Sequence, residues 1–408
     1  MKKYILFISI LCFTISSAMA EKNPDIAVYQ DSIKKKKRTM PGFSEKDMEE
    51  WKAMAEEMAK QGEMLAQQFE QFEQFEGLSI PDNMNGLQFN WKDAKERKPT
   101  RTEKKVFNSI SEIEIDHKYG NIIVKESSSK QIDLEIQYFD NGSNKASCDI
   151  SSSKGILFIT TTSSSQNNEK INYIISIPRK TALNIGLKYG NLKMDNHSGT
   201  FKANLSYANL DAQSFSSDTP SIDIKYGNIT LGSAKNLSLA ASYSKVFIDK
   251  LDKIQLSGKY TDYTIKNVET IDTGDSSSYG NFKIGTLGTM KANVKYADIS
   301  IENLTSTFTV NAAYGNINLT TLNPKSCDIT IDGSYSDVTV IVPENTPTAF
   351  NVNLKYGNLV LSKKHTNVSY TQNNTINQNV EKIGYIGGSK NPKINIKVIN
   401  KYADVKIR

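Results

Sequence analysis

Histidine is the usual general base at neutral pH, and this 408-residue chain has three histidines. His117 lies two residues before a tyrosine in an alternating segment, so we predict that it replaces an apolar core residue. His197 and His365 fall in predicted loops. The sequence contains no nucleophile elbow, phosphate-binding loop, paired zinc-ligand motif or dinucleotide fingerprint in the context that each requires. The histidines therefore predict no catalytic site.

Carboxylates recur at one position of a repeated motif and are the other candidates for chemistry: Asp262, Asp298, Asp337 and Asp404. Glycosidases use a pair of acids, and calcium sites use clustered carboxylates. Each of these aspartates occupies a slot that other copies fill with asparagine, so a bend-forming role explains it without chemistry. We therefore predict a protein that is not an enzyme and has no metal or cofactor. The alternative is a carbohydrate-active β-helix enzyme, which requires an acidic cluster in a groove formed by the inserts at 127–186 or 362–395.

Two cysteines remain after the predicted signal peptide, Cys148 and Cys327, and both follow serine and precede Asp-Ile. Two cysteines do not make a disulfide framework. At equivalent positions of coils that are many rungs apart they could not form a bond. They are predicted to be small core residues.

The beginning of the chain has the pattern of a signal peptide over residues 1–20. Two lysines precede an apolar run at 4–15, and Ala18-Met19-Ala20 is a small-x-small cleavage site. The mature chain is then expected to begin at Glu21. The apolar run is too short to span a membrane, so we expect no transmembrane span in the mature chain. A lipoprotein, the alternative, would use Cys12 within that run.

Export limits the partners that the protein can meet. The expected locations are the periplasm, the outer-membrane surface or the outside of the cell. The formal charge of +6 is spread through a chain with 44 acidic residues, which is a weak attraction for anions. Export further disfavours a nucleic-acid partner.

Three segments precede the repeats. Residues 21–43 contain the basic run at 34–38 and are predicted to be a flexible arm. Residues 44–76 carry apolar side chains at spacings of three and four over four heptads, which predicts a long amphipathic helix. Residues 77–105, with several glycines and prolines, are predicted to be a linker. The helix could cover the open end of the repeats, self-associate as a coiled coil or lie on a membrane, and we rank these in that order.

A tyrosine motif repeats twelve times over residues 106–408, at Tyr119, Tyr189, Tyr207, Tyr226, Tyr243, Tyr260, Tyr279, Tyr296, Tyr314, Tyr335, Tyr356 and Tyr402. From the second copy to the eleventh the steps are 17 to 21 residues, a period typical of a solenoid. Apolar residues lie two and four residues before the tyrosine and three and five residues after it. The alternation places the tyrosine on the apolar face, and the step of three requires a turn directly after it.

The two residues after the tyrosine form the predicted corner. The first is Gly, Ala, Ser or Thr in every copy, so we expect that steric room is needed there. The second is Asn or Asp in eleven copies, and we place the left-handed bend on it because Asn and Asp tolerate that conformation best. Stacked coils should align these side chains into a ladder above a stack of tyrosines. The predicted structural corner residues are Tyr119, Asn121, Tyr189, Asn191, Tyr207, Asn209, Tyr226, Asn228, Tyr279, Asn281, Tyr314, Asn316, Tyr356 and Asn358.

The residue before the tyrosine faces outward by alternation, and lysine alternates there with serine or alanine over most copies. With one copy per coil, which we favour over two, these lysines lie about 9.6 Å apart, near a Debye length. They form a candidate surface binding stripe: Lys188, Lys225, Lys259, Lys295 and Lys355. The stripe could attract an anionic glycan, or it could serve only to discourage edge aggregation.

The Lys-Tyr-Gly-Asn copies at 118–121, 188–191, 225–228 and 355–358, with the Tyr-Ala-Asn/Asp copies at 207–209, 296–298 and 402–404, resemble a bacterial family. This family consists of β-strand-repeat adhesin domains of unknown function in exported proteins of Bacteroidetes-type bacteria. The resemblance covers roughly residues 106–408. It implies a single-stranded parallel β-helix, which we expect to be right-handed, and a cell-envelope location, but it supplies no ligand or site.

These observations predict an all-β solenoid over 106–408, with 17–21 residues per coil, preceded by a long α-helix. The expected function is that of a non-catalytic envelope or surface protein, an adhesin or binding scaffold. Its expected partner is an envelope glycan or another envelope protein. An envelope-stress or regulatory protein that binds its partner through residues 44–76 is a further alternative.

Overall fold

The computed structural model describes residues 98–140, 146–163, 169–274, 277–361, 366–374, 379–387 and 391–408. The signal peptide at 1–20, the arm at 21–43, the helix at 44–76 and His365 are predictions that lie outside these residues. The linker predicted over 77–105 is described only from residue 98, and its last residues form a strand instead of a loop. That strand is charged on both faces, so it has no apolar alternation to reveal it.

Twenty strands and no helix make up the described part of the chain. The first ten are β1 (Arg101–Phe107), β2 (Glu112–Ser127), β3 (Ile132–Phe139), β4 (Ser147–Ser153), β5 (Ile156–Ser163), β6 (Lys170–Pro178), β7 (Ala182–His197), β8 (Phe201–Phe215), β9 (Ser221–Lys225) and β10 (Asn228–Asp272). The others are β11 (Ser277–Ala313), β12 (Ile317–Leu322), β13 (Cys327–Ser334), β14 (Val338–Val340), β15 (Thr348–Lys355), β16 (Leu359–Leu361), β17 (Thr366–Asn374), β18 (Asn379–Ile386), β19 (Ile394–Lys401) and β20 (Val405–Ile407).

Parallel pairing between successive copies of the motif builds the solenoid. The residue before one tyrosine pairs with the residue before the next, as Lys188 does with Ser206 and Ser242 with Lys225. Each coil therefore contains one copy, and the prediction of an all-β solenoid is confirmed. The long strands β10 and β11 each continue through more than one coil, since they contain two tyrosines or more.

The core is a set of aligned apolar rows. Leu192, Leu210 and Ile229 each lie three residues after a tyrosine, are paired in register and are at most 1% exposed. Complete burial of such a side chain is worth about 1.5–3 kcal/mol, so one row repeated along the coils stabilises the whole stack. Every coil contributes to the same rows, because the apolar positions keep a fixed distance from the tyrosine.

The order of coils along the axis departs from chain order near the end. Strand β19 pairs in parallel with β13 on one side and with β15 on the other. The short strands that follow the corners repeat this arrangement, with β20 between β14 and β16. The coil of Tyr402 therefore lies between the coils of Tyr335 and Tyr356.

Antiparallel strands cover the two ends of the stack. At the N-terminal end β3 pairs with β1 and β6, and β4 pairs with β5, while β5 and β6 also join β2 in parallel. At the other end β18 pairs antiparallel with β15 and β17. The inserts at 127–186 and 362–395 were expected to be divergent coils or end caps. β5 and β6 continue the parallel stack as a divergent coil, whereas β3, β4, β17 and β18 form the end caps.

Both cysteines are free, but their surroundings differ. Cys327 is 1% exposed in β13, and burial raises the pKa of its thiol to about 12. Cys148 is only half-buried in β4 of the N-terminal cap, where its Sγ lies 3.4 Å from the Tyr138 hydroxyl. They are therefore not at equivalent positions, although their sequence contexts are alike.

Candidate functional site

All twelve motif tyrosines form one continuous stack. Neighbouring ring centroids are 4.6–5.1 Å apart, and the rings are within 12° of parallel. Tyr402 is stacked between Tyr335 and Tyr356, in agreement with the order of the coils. Each ring pair contributes about 0.5–1.5 kcal/mol beyond its buried area. We call this stack the tyrosine ladder.

The left-handed bend lies on the tyrosine itself, so its prediction on the following Asn or Asp was wrong. All twelve tyrosines have φ between 52° and 62°, whereas none of the corner Asn or Asp residues has a positive φ. A non-glycine residue in this region costs roughly 1–2 kcal/mol. Intrinsic preference favours asparagine there, but only an aromatic ring at this position gains two stacking partners.

The bend also reverses the expected direction of the tyrosine side chains. Simple alternation predicted that they face the core, but seven of them are 40–48% exposed, among them Tyr260 and Tyr402. The left-handed residue breaks the alternation, because it turns its side chain away from the apolar rows that precede it. The tyrosine ladder is therefore an exposed aromatic ridge that runs along the solenoid.

The small residue after the tyrosine lies against the backbone of the preceding coil. A Cβ added to Gly190 would lie 1.8 Å from the carbonyl oxygen of Gly120, and one added to Gly227 would lie 1.9 Å from that of Ala208. Steric room is thus needed where the sequence predicted it. In other copies a hydroxyl occupies this slot and bonds locally, as Ser244 Oγ does to the Ser242 carbonyl at 2.8 Å.

The corner asparagines form a hydrogen-bonded ladder beside the tyrosines. Asn191 and Asn209 each donate from Nδ2 to the Oδ1 of the preceding coil's asparagine at 2.9 Å. Asn228 donates to Asn209 through both its Nδ2 (3.1 Å) and its backbone N–H (2.9 Å). Lys245 interrupts this ladder in the next coil, because lysine has no acceptor. The asparagines of the first coils are therefore committed to bonds within the fold.

The corner aspartates make the same contacts in the later coils. Each accepts a backbone N–H of the next coil at Oδ1: Asp262 from Asn281 (3.1 Å), Asp298 from Asn316 (2.7 Å), Asp337 from Asp404 (2.9 Å) and Asp404 from Asn358 (2.8 Å). Their exposed Oδ1 atoms thus satisfy backbone donors, which accounts for them without catalysis. In the part of the chain that the structure describes, no group of three His, Cys, Asp or Glu residues could hold a metal ion.

Two histidines are buried in the described residues. His117 is fully buried, as predicted, and its Nδ1 lies 2.7 Å from Thr161 Oγ1. Burial lowers the pKa of His117 to about 4, and the nearby Ile171 backbone opposes this shift only in part. His197 was expected in a loop but is 3% exposed at the end of β7, where burial lowers its pKa. Neither is placed to act as a general base on a solvent-accessible substrate.

The lysines before the tyrosines lie along one side of the ladder. In spatial order the twelve residues are Lys118, Lys188, Ser206, Lys225, Ser242, Lys259, Ser278, Lys295, Ala313, Ser334, Lys401 and Lys355. Every lysine in this series is exposed. The structure therefore brings together all five predicted stripe lysines, and it adds Lys118 at one end and Lys401 next to Lys355 at the other. We call this series the lysine row.

Three comparisons relate the chain to known proteins. The model of the Toastrack DUF4097 family matches residues 110–251 and 248–408. No curated protein is significantly similar to the chain. The described residues also contain no helix that is long and apolar enough to cross a membrane.

Similar solved structures come from Bacteroides and Parabacteroides species. They include a "putative adhesin" from Bacteroides fragilis (13% identity, 77% of this chain and 100% of that chain, TM-score 0.29). Another carries the same description, from Parabacteroides merdae (12% identity, 76% and 95%, TM-score 0.29). A third is described as a "Putative lipid binding protein" from Parabacteroides distasonis (10% identity, 76% and 99%, TM-score 0.24). The family model covers nearly all of the described coils, so the chain belongs to the Toastrack DUF4097 family.

Proposed function

We propose that the protein is a non-catalytic, exported binding scaffold of the cell envelope, an adhesin-type protein whose tyrosine ladder and lysine row together bind an envelope glycan. The observation that carries this proposal is the aromatic ridge, which extends over twelve coils and in which seven tyrosines are exposed and five are half-buried. Scattered exposed apolar residues are ordinary on protein surfaces, whereas a contiguous patch of them marks an interaction site.

The geometry of the ladder limits how a ligand can bind. Ring faces along the ladder are covered by neighbouring tyrosines, so a ligand meets ring edges and the adjacent lysines rather than an open aromatic platform. At about 4.8 Å per coil the eleven steps extend about 53 Å. A linear polymer laid along the ridge matches this shape better than a small compact molecule.

The charges favour an anionic polymer. Lys188, Lys225, Lys259 and Lys295 follow one another at every second coil, about 9.6 Å apart, which is near the Debye length in physiological salt. Each is exposed. A polymer with regularly spaced acidic groups can therefore contact several lysines at once, and its binding gains from multivalency.

A glycan array with purified mature protein tests the proposal. We expect binding to acidic glycans, and a loss of about tenfold or more in affinity in the triple variant Lys188→Gln, Lys225→Gln, Lys259→Gln. The matched control is Lys235→Gln, Lys250→Gln, Lys253→Gln, which removes the same charge from exposed lysines away from the ladder. Equal losses in the two triple variants would show non-specific charge attraction and contradict the proposed face.

Export is tested separately. Sequencing of the mature N-terminus from envelope fractions should give Glu21. A chain that keeps its first twenty residues in the cytoplasm would contradict the proposed location.

A further inference from the structure

The lysine row has a single wide gap. Lysines alternate with serines through the middle coils, but Ala313 and Ser334 are consecutive in space and neither is a lysine. The gap is bounded by Lys295 on one side and Lys401 on the other, three coils or about 14 Å apart. Nowhere else in the twelve positions do two neighbouring coils both lack a lysine.

A shallow groove of about 280 Å³ lies at this gap. Its floor includes Ala312, Ala313, Gly333 and Ser334, which are paired in register on adjacent coils. The groove is slightly smaller than typical small-molecule sites, which have volumes of roughly 300–1,000 Å³, so it can hold one or two sugar rings rather than a long polymer.

A buried asparagine lies against Gly333 in the groove floor. The Asn400 side chain is 1% exposed, and its Nδ2 donates to the Ser336 carbonyl at 2.7 Å. A Cβ added to Gly333 would lie 2.6 Å from Asn400 Oδ1. A residue larger than glycine is therefore excluded there, because its side chain would meet the buried asparagine.

The sides of the groove carry hydrogen-bonding groups. Asn293, Asn311 and Asp332 line it from the strand positions three residues before the tyrosines. Asn311 and Asp332 are exposed and paired in register, so an amide and a carboxylate face the same ligand from adjacent coils. Amides and carboxylates are the side chains that can both position and satisfy the hydroxyls of a ligand in a shallow site.

We propose that this groove is a subsite for one or two uronic-acid rings of a glycan, a proposal that rests on the glycan-binding function proposed above. Asn293, Asn311, Asp332 and Ser334 hold the ring hydroxyls. The ring carboxylate pairs with the ammonium group of Lys295 or Lys401, the two cations at the ends of the groove. The gap in the lysine row thus marks the position at which a sugar ring, rather than a charge alone, is recognised.

The repeats supply a variant that fills the groove without disturbing the fold. Lysine occupies the position of Ala313 and Ser334 in seven of the twelve copies, so a side chain of similar length fits there. Glutamine has most of that length and no charge. The test variant is Ala313→Gln with Ser334→Gln. The matched control is Ser300→Gln with Asn318→Gln, two exposed residues that follow the corners, are paired in register on adjacent coils and lie outside the lysine row and the groove.

Calorimetric titration with the trisaccharide of galacturonic acid and with its neutral methyl ester measures the subsite. We expect the groove variant to bind the acid about tenfold or more weakly, and the control to bind it as the original protein does. Lys295→Gln should weaken binding of the acid but not of the ester. Unchanged thermal unfolding of all variants is the check on folding.

The outcomes separate this subsite from the function on which it rests. If the groove variant keeps its affinity while the Lys188, Lys225, Lys259 triple variant loses it, the ladder binds glycans and the subsite is wrong. If the protein binds other acidic glycans on the array but neither trisaccharide, the uronic-acid assignment is wrong. If it binds no glycan at all, both proposals fall.

Discussion

In the middle coils, the buried apolar rows lie at fixed distances from a tyrosine, and each strand pairs in parallel with its own copy one coil away. The N-terminal cap uses antiparallel pairs instead, and its interior includes the fully buried His117 and Tyr173, whose rings meet edge to face at 4.7 Å. The coils thus repeat one pattern of strand pairing, whereas the pairing pattern of the cap occurs only once. A stack of coils can continue only while each new coil pairs with the exposed strand edge of the last one. At the end of the stack a different arrangement of strands must therefore cover that edge.

The largest effect should come from removing the coil that is inserted out of order. Truncation after residue 390 deletes β19, the parallel partner of β13 and β15, and β20, the parallel partner of β14 and β16. In a solenoid each coil is stabilised mainly by its neighbours, so the coil of Tyr356 and the C-terminal cap should lose protection. Hydrogen exchange should rise by orders of magnitude in Thr348–Lys355 and stay unchanged in Ala182–His197, the internal control.

Direct pairing of β15 with β13 in the truncated chain would retain this protection and contradict the prediction. The order of assembly also follows from the insertion. The coil of Tyr356 cannot reach its native neighbours until the last strands of the chain are present, so the C-terminal end should be the last part to fold.

The corner glycines should show the next largest effect. In Gly227→Ala the new Cβ would lie 1.9 Å from a backbone oxygen of the preceding coil, and the backbone must shift to relieve it. We expect a loss of about 2–3 kcal/mol in unfolding free energy by urea denaturation. The control Ala208→Gly, at the same slot one coil earlier, should cost only about 0.5–1 kcal/mol. Equal losses of unfolding free energy in the two variants would mean that the corner accepts glycine and alanine equally well, which would contradict the prediction.

The cap should respond to acid more than the coils do. His117 has a pKa of about 4 in the folded protein and about 6.5 when unfolded, so its stabilising contribution is present above pH 6.5 and is lost as the pH falls towards 4. The loss can reach about 3 kcal/mol. In His117→Leu, which places at this position the leucine of several other copies, the fall in melting temperature from pH 7 to pH 4.5 should be smaller.

His197→Leu is the matched variant in the first full coil. Burial also lowers the pKa of His197, but His197 is less deeply buried than His117. His197→Leu should therefore change the pH dependence of the melting temperature less than His117→Leu does. An equal change in the two variants would show that the cap is not the acid-sensitive part.

The sequence determined the coils far better than the caps, for a physical reason. Spacing from Tyr189 onward defines the register, because each copy repeats the same burial pattern. Spacing cannot define the order of Tyr356 and Tyr402 along the axis. A last coil that is inserted between two earlier coils has the same sequence pattern as one that is added at the end. The groove depends on which coils are neighbours, so Asn293 and Asp332 could not be placed together from the sequence.

The exposure of the tyrosines was missed for another reason. Propensity assigns the left-handed bend to asparagine, and only the cooperative stack of twelve rings outweighs that preference. A signal was present in the sequence, because tyrosine is invariant at a position where any apolar residue would serve a buried core.

The smallest expected effect is the difference in stability between glycine and alanine variants, which should have opposite signs at a ladder tyrosine and at a tyrosine of the cap. Tyr279 has φ of 58° and stacks on two rings at 4.6 and 4.7 Å, whereas Tyr370 in β17 is similarly exposed but has no positive φ. Both Tyr279→Ala and Tyr279→Gly lose the two ring contacts, but only alanine keeps the cost of a left-handed backbone. Tyr279→Gly should therefore be about 1 kcal/mol more stable than Tyr279→Ala.

The order should reverse at Tyr370, where glycine gains nothing from its backbone freedom and weakens the strand by about 0.5–1 kcal/mol relative to alanine. Urea denaturation of the four variants measures both differences. If alanine were preferred at both positions, the bend at Tyr279 would carry no strain. The ladder would then need no compensation from ring stacking, and the invariance of tyrosine along the coils would have to come from what the exposed ridge binds.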